Sequence, residues 1–148
     1  MFLKRQYDLG LRFKMKRGER LSSNLRIPED RPLSSKETEL VRWALEHGLP
    51  GSHSYLPQVD KLRVTSRCGC GCASVDFSFG GVLPDYSAGL EVLSDHLWGT
   101  GGTDLCGVFV FARNEKLAGL EVWSVDGQVT PTELPKFEDL RDYSQEKT

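Results

Sequence analysis

The sequence lacks the features that identify a membrane protein or a familiar class of enzyme. Its longest uninterrupted apolar run, residues 108–112, is far shorter than the roughly 20 residues of a membrane-spanning helix. Residues 1–5 contain no apolar core like that of a secretory signal. The chain also has no G-x-S-x-G, H-E-x-x-H or Walker A pattern. These absences predict a cytoplasmic protein without a membrane segment, and they favour binding over catalysis.

Neither size nor composition is extreme over the whole chain. It has 148 residues, of which 39% are hydrophobic and 27% charged, and a formal net charge of −2. A chain of this length and apolar content is expected to form one domain around its own hydrophobic core. No internal repeat or low-complexity segment suggests otherwise.

The charges are distributed unevenly. Residues 1–31 contain nine Lys or Arg against four Asp or Glu, a balance of +5, whereas residues 32–148 contain ten against seventeen, a balance of −7. Three interpretations of the basic segment stay open: a weakly attached terminus, an arm packed on the body through alternating apolar residues, or an arm for nucleic acid. The alternating residues are Tyr7, Leu9, Leu11 and Phe13. The acidic body disfavours nucleic acid and favours a basic protein as the partner.

The domain boundaries follow from composition. Residues 26–32 contain two prolines and predict a linker between the basic arm and the body. We therefore expect an N-terminal arm and linker at residues 1–32, a single domain at residues 33–143 that begins at Leu33, and a disordered tail at residues 144–148.

One amphipathic helix is predicted over about residues 35–47. Ser34 and Glu37 have the spacing of a capping box, in which each side chain bonds the backbone N–H of the other residue. An apolar stripe at helical spacing follows, formed by Leu40, Val41, Ala44 and Leu45. Gly48 and the Pro50-Gly51 pair end the helix. Trp43 and His47 share one flank, which we interpret as the edge of the core.

The alternation of side chains predicts a chain reversal near the cysteines. Leu62 and Val64 are the apolar residues of an alternating stretch, so even positions face the core there. Odd positions do so from residue 73 to residue 79. A regular strand cannot change which positions face inward. We predict a tight hairpin centred on residues 69–71, with a bulge in one long strand as the alternative.

Three further strands complete the predicted sheet. Residues 104–113 are apolar on both faces and indicate a central strand, and residues 117–126 form its partner. Residues 90–98 fit either a helix or a strand, and we favour the strand. Residues 130–135 are expected to lie extended over the body. The predicted fold is α+β, with a capping helix on an antiparallel sheet of four to five strands.

The cysteines are the candidate metal ligands. Cys68, Cys70 and Cys72 are two residues apart, so an extended strand would separate neighbouring side chains by roughly 6.6 Å, too far for one zinc ion, whereas a turn would bring them together. No cofactor is assigned, and zinc is the candidate if the turn binds a metal. A purely structural turn is the first interpretation, and a metal site, a redox-active thiol and a disulfide are the alternatives. Arg67 could lower the pKa of a neighbouring thiol. The candidates for a fourth ligand are His47, His53, His96 and Cys106.

No catalytic residue is assigned from the sequence. Asp95, His96 and Cys106 have the side chains of a nucleophile, a base and an orienting acid, but their types alone establish no triad. Asp76, Asp95 and Glu121 are interpreted as solvated residues of the outer sheet face.

Two stretches resemble small bacterial α+β domains, among them immunity proteins of toxin systems. The first is residues 67–76, RCGCGCASVD, and the second is residues 117–127, LAGLEVWSVDG, which is followed by Leu134-Pro135. The resemblance implies a protein that binds and inhibits a partner protein, and it transfers no catalytic residue. An immunity-like binding protein is therefore the first expectation, and a metal-binding or redox-active thiol protein is the alternative.

Overall fold

A seven-stranded antiparallel sheet carries helices on one face in the computed structural model, which describes residues 26–101 and 104–142. The elements follow in the order β1 (Arg26–Pro32), α1 (Ser35–Glu46), a first 3₁₀ helix (Ser52–Lys61), β2 (Leu62–Cys68), β3 (Val75–Phe79), β4 (Leu90–Trp98), β5 (Cys106–Arg113), β6 (Lys116–Ser124), a second 3₁₀ helix (Phe137–Asp139) and β7 (Arg141–Asp142). The order across the sheet is β1-β2-β3-β6-β5-β4-β7. The α+β class is confirmed.

The expected number of four to five strands is wrong, because neither edge strand of the sheet was predicted from the sequence. Arg26–Pro32 is strand β1, paired with β2, and not a linker. Pro28 and Pro32 are tolerated because β1 is an edge strand with a partner on one side only. The sheet therefore begins before Leu33. At the other edge, β7 has two residues, too few to produce an alternating pattern. The basic arm before residue 26 and the tail after residue 142 lie outside the described residues.

Helix α1 begins as predicted. The Ser34 hydroxyl accepts a hydrogen bond from the backbone N–H of Glu37, and the Glu37 carboxylate accepts one from the backbone N–H of Ser34. His47 follows the helix as its C-terminal cap. The first 3₁₀ helix was not predicted, because Pro50-Gly51 indicated only a stop. Gly51 there has a φ of 90°, a left-handed conformation that glycine adopts readily.

The main core lies between these helices and one sheet face. Its buried residues are Leu40, Val41, Ala44, Leu45, Val59, Leu62, Val64, Val75, Phe77, Leu93, Val108, Val110, Ala112, Leu117, Leu120 and Val122. A smaller cluster on the opposite face contains Phe109, Phe111 and Ala118. Strand β5 contributes to both clusters, so its predicted central position is confirmed. Residues 90–98 form β4, which pairs with β5 along its length, so the preference for a strand is confirmed.

Within the described part of the chain, no helix combines the length and the apolar character needed to cross a membrane.

The start of α1 should make stability dependent on pH. Glu37 is 7% exposed, and Nη1 and Nη2 of Arg31 donate to its two carboxylate oxygens at 2.9 and 3.0 Å. Burial alone would raise the pKa of Glu37, but the hydrogen bonds from Arg31 and Ser34 outweigh it and lower the pKa. A lowered pKa contributes stability above the pKa of the unfolded chain, and this contribution is lost as the pH falls.

We expect Glu37→Gln to lower the free energy of unfolding by about 2 kcal/mol at pH 7, since a hydrogen-bonded charge is removed. The deficit should shrink as the pH falls from about 5 to about 3, where the native carboxylate becomes protonated. Urea unfolding across this range measures both effects. Glu39→Gln is the matched control, because Glu39 is exposed on the same helix. Equal pH dependence of the two variants would contradict the assignment.

Candidate metal centre

The three neighbouring cysteines lie in a tight reversal between β2 and β3. Strand β2 ends at Cys68, whose backbone N–H donates to the carbonyl of Ser74 at 3.2 Å, just before β3 begins. The N–H of Gly71 donates to the carbonyl of Cys68 at 3.3 Å, and Gly71 has a φ of 95°, which favours glycine. The two strands are antiparallel neighbours. The predicted hairpin is confirmed, and the alternative of one long strand is wrong. Strand β2 nevertheless contains a bulge between Val64 and Ser66, where its register against β3 shifts.

The reversal brings the three sulfur atoms together. The Sγ atoms of Cys68, Cys70 and Cys72 all lie within 4.8 Å of one another. The sulfurs of Cys68 and Cys70 are 3.0 Å apart. Cys70 is exposed, whereas the other two are half-buried. The residue types and their spacing can therefore hold a metal ion.

Backbone amides point at two of the sulfurs. The N–H of Cys70 lies 3.5 Å from the Sγ of Cys68, and the N–H of Cys72 lies 3.4 Å from the Sγ of Cys70. A hydrogen bond donated to a sulfur stabilises its charged form. The loop backbone thus compensates part of the negative charge that accumulates when several thiols lose their protons together.

The thiols of Cys68 and Cys72 have unequal proton affinities. The hydrogen bond from the Cys68 thiol lowers the pKa of Cys72, and the hydroxyl and backbone N–H of Ser74 lower it further against the effect of burial. The same shared proton, together with burial, raises the pKa of Cys68. Cys72 is therefore the first of the pair to become a thiolate, the form that binds metals.

Ser74 connects the cysteine loop to the sheet. Its side chain is fully buried, accepts a hydrogen bond from the N–H of Val122 at 2.9 Å, and lies 3.2 Å from both the Val122 carbonyl and the Cys72 Sγ. The N–H of Ala73 donates to the carbonyl of Pro131 at 2.9 Å. Strand β6 and the segment after it therefore hold the end of the loop in place.

A half-buried cluster of charged groups adjoins the loop. Arg26 is the β1 residue paired with Cys68, and its guanidinium lies 3.3 Å from the Asp76 carboxylate and 3.4 Å from the Glu121 carboxylate. The hydroxyl of Ser66 also donates to Asp76 at 2.9 Å. Asp76 is 7% exposed, so its interpretation as a solvated residue is wrong, whereas Glu121 keeps 31% of its side chain exposed. Burial raises the pKa of Glu121 to about 7, although Arg26 opposes the shift.

Arg67 does not act on the thiols as anticipated. Its Nε donates to the carboxylate of Glu29 in β1 at 2.8 Å, so its charge is engaged across the edge of the sheet. The residue beside the cysteines that sequence reasoning missed is Arg26. Arg26 lies beside the loop because β1 pairs with β2. The interpretation of residues 26–32 as a linker did not include this pairing.

The proposed fourth ligands do not join the three cysteines. Among the described residues, the group whose ligand atoms lie within 4.8 Å of one another contains Cys68, Cys70 and Cys72 alone. His47 stacks on Trp43 at 4.2 Å, and His96 packs edge-on against the same ring at 4.9 Å. The remaining two candidates are His53, in the first 3₁₀ helix, and Cys106, in β5.

The sheet also separates Asp95 from the other two members of the candidate triad, since Cys106 shares a face with Val108 and His96. His96 pairs with Val108 of the main core, whereas Asp95 pairs with Phe109 of the cluster on the opposite face. Asp95 and His96 therefore point to opposite sides of the sheet, and Asp95 cannot orient His96. Burial and the nearby Asp142 raise the pKa of the half-buried Asp95 to about 7, so its interpretation as a solvated residue is also wrong.

Comparisons of the chain with protein families, with curated proteins and with solved structures find no match. The resemblance of residues 67–76 and 117–127 to small bacterial domains therefore stays a prediction.

The cysteines should differ in their reactivity toward iodoacetamide in the native protein. We expect Cys70 to be alkylated first, because it is the exposed thiol. Cys106 should react only on unfolding, because it is 5% exposed and burial raises its pKa. Peptide mass spectrometry over a time course measures the order. In the Cys106→Ser control, the slowest phase alone should disappear. Alkylation of Cys106 as fast as Cys70 would contradict this arrangement.

Proposed function

We propose that the hairpin binds a soft metal ion, zinc, through the thiolates of Cys68, Cys70 and Cys72. The observation that supports the proposal is the convergence of three sulfur atoms within 4.8 Å on a loop of five residues, 68–72. Thiolate sulfur is a preferred ligand of zinc, with a bond length of about 2.3 Å. The remaining Cys106 is buried in β5 and lies outside this group.

The spacing of the sulfurs suits such a site. Ligands at about 2.3 Å in a tetrahedron are roughly 3.8 Å apart. The sulfurs of Cys68 and Cys70 are 3.0 Å apart, and all three sulfurs lie within 4.8 Å of one another. Adjustments of about 1 Å or less in the side chains would place all three sulfurs around one zinc ion. The glycines between the cysteines leave those side chains room to move.

Three protein ligands leave one coordination position of zinc to another donor. Closed structural sites use four protein ligands, whereas sites with three keep a position for water or substrate. The described residues supply no fourth ligand to the group. The proposed site therefore binds zinc with water or an external ligand in the fourth position, and the exposure of Cys70 gives that ligand access.

Zinc binding should depend on each of the three thiols. We expect the reduced protein to bind one zinc ion, and Cys68→Ser, Cys70→Ser or Cys72→Ser to weaken binding by at least about tenfold, because even residues that only support metal ligands have effects of that size. Affinity should also rise with pH, since the ligands must lose their protons. Competition with a chromogenic zinc chelator measures the affinity.

Cys106→Ser is the matched control, since it removes a thiol that lies outside the group. It should bind zinc like the unaltered protein. The proposed site would be excluded if all four variants lost zinc affinity equally. It would also be excluded if a protein lacking Cys68, Cys70 and Cys72 kept its full zinc affinity.

Protein binding is the second candidate function, favoured by an exposed apolar segment between β3 and β4. Val82, Leu83 and Tyr86 are 58%, 58% and 57% exposed there. Neighbouring exposed apolar side chains are typical of interaction surfaces. The acidic balance of residues 32–148 favours a basic protein as the partner.

The paired change Val82→Ser and Leu83→Ser should abolish retention of such a partner. In affinity purification from an extract of the source organism, a basic protein is expected with the unaltered bait and lost with this variant, as quantified by mass spectrometry. Val129→Ser is the control, because Val129 is 41% exposed outside this segment. Equal recovery with all three baits would contradict this assignment.

A further inference from the structure

The three thiols of the hairpin differ in their access to solvent. Cys70 occupies the exposed tip, whereas Cys68 ends β2 and is half-buried. Cys72 is half-buried beside Ser74. A reagent from solution therefore meets Cys70 first, and the sulfur of Cys68 lies 3.0 Å from that of Cys70.

We propose that a low-molecular-weight disulfide of the glutathione class oxidises Cys70 and Cys68 to an intramolecular disulfide that prevents zinc binding. This inference rests on the zinc site proposed above, because it makes the disulfide a regulator of that same site. The modification removes two of the three zinc ligands and leaves Cys72 alone.

The reaction consists of two thiol–disulfide exchanges. Cys70 gives up its proton to solvent, and its thiolate attacks one sulfur of the glutathione disulfide. The bond between the two glutathione sulfurs breaks, and one glutathione leaves as a thiolate that takes up a proton. Cys68 then gives up its proton and attacks the Cys70 sulfur, which releases the second glutathione. Two electrons pass from the cysteines to the glutathione disulfide, which becomes two glutathione thiols.

The geometry favours Cys68 over Cys72 as the second thiol. The sulfurs of Cys68 and Cys70 need to approach by about 1 Å to reach the disulfide bond length of about 2.05 Å. Cys72 is instead held through its sulfur by Ser74, which β6 fixes in turn. Gly69 between the reacting cysteines contributes no side chain to obstruct the approach.

Peptide mapping by mass spectrometry tests the pairing. The full-length protein is reduced, freed of metal with a chelator, and treated with oxidised glutathione in the absence of oxygen. We expect a Cys68–Cys70 disulfide in the unaltered protein, in Cys72→Ser and in the Cys106→Ser control. Cys68→Ser should stop at a mixed disulfide between Cys70 and glutathione. The result for the unaltered protein requires no variant to fold.

Zinc uptake tests the regulatory consequence. The oxidised protein should bind zinc at least about tenfold more weakly than the reduced protein, and treatment with dithiothreitol should restore binding. Three results would overturn the inference. The first is the absence of a disulfide in the unaltered protein, and the second is a Cys70–Cys72 disulfide that Cys68→Ser forms as fast as the unaltered protein forms its own. The third result is an equal zinc affinity before and after oxidation.

The two proposals fail in different ways. If the reduced protein binds no zinc, the zinc proposal fails, and the regulatory role of the disulfide fails with it. If the reduced protein binds zinc but forms no Cys68–Cys70 disulfide, the zinc proposal stands and the redox inference alone is wrong.

Discussion

The alternation of side chains along a pleated strand constrains both the sheet and the candidate metal centre. Strand β2 buries Leu62 and Val64, and β3 buries Val75 and Phe77, so the chain cannot continue in one direction between them. The chain reverses at the cysteines, and a bulge in β2 between Val64 and Ser66 shifts the register against β3. An extended strand would hold neighbouring cysteines roughly 6.6 Å apart, and the turn instead brings three sulfurs within 4.8 Å. The turn therefore forms the site, and the bulge in β2 sets the register in which Leu62 and Val64 face the core.

Local patterns account for what the sequence predicted well. The capping box at Ser34 and Glu37 fixes the start of α1, and the apolar residues on both faces of β5 place it inside the sheet, between β6 and β4. The edge strands have no comparable pattern. In β1 the prolines suggested a linker. Proline has no backbone N–H to donate, but the free side of an edge strand needs no donor. In β7 two residues are too few for alternation, so only pairing with β4 reveals it.

The candidate site was predictable in its ligands but not in its surroundings. The glycine spacing of the cysteines and the change in strand register are local, and together they indicated the turn. The neighbours of the turn come from distant positions: Arg26 through β1, and Glu121 and Val122 through the non-consecutive pairing of β3 with β6. Such contacts depend on the order of strands across the sheet. For the same reason, the sequence could not show that Asp76 is buried or that His96 lies beside Trp43.

X-ray absorption spectroscopy of the zinc-loaded, reduced protein counts the sulfur neighbours of the metal. We expect three sulfur atoms at about 2.3 Å from zinc and one lighter atom, oxygen or nitrogen, in the fourth position. The Cys106→Ser protein should give the same spectrum. A first shell dominated by oxygen and nitrogen, or one that loses a sulfur in Cys106→Ser, would contradict the claim that the hairpin gathers Cys68, Cys70 and Cys72 around one ion.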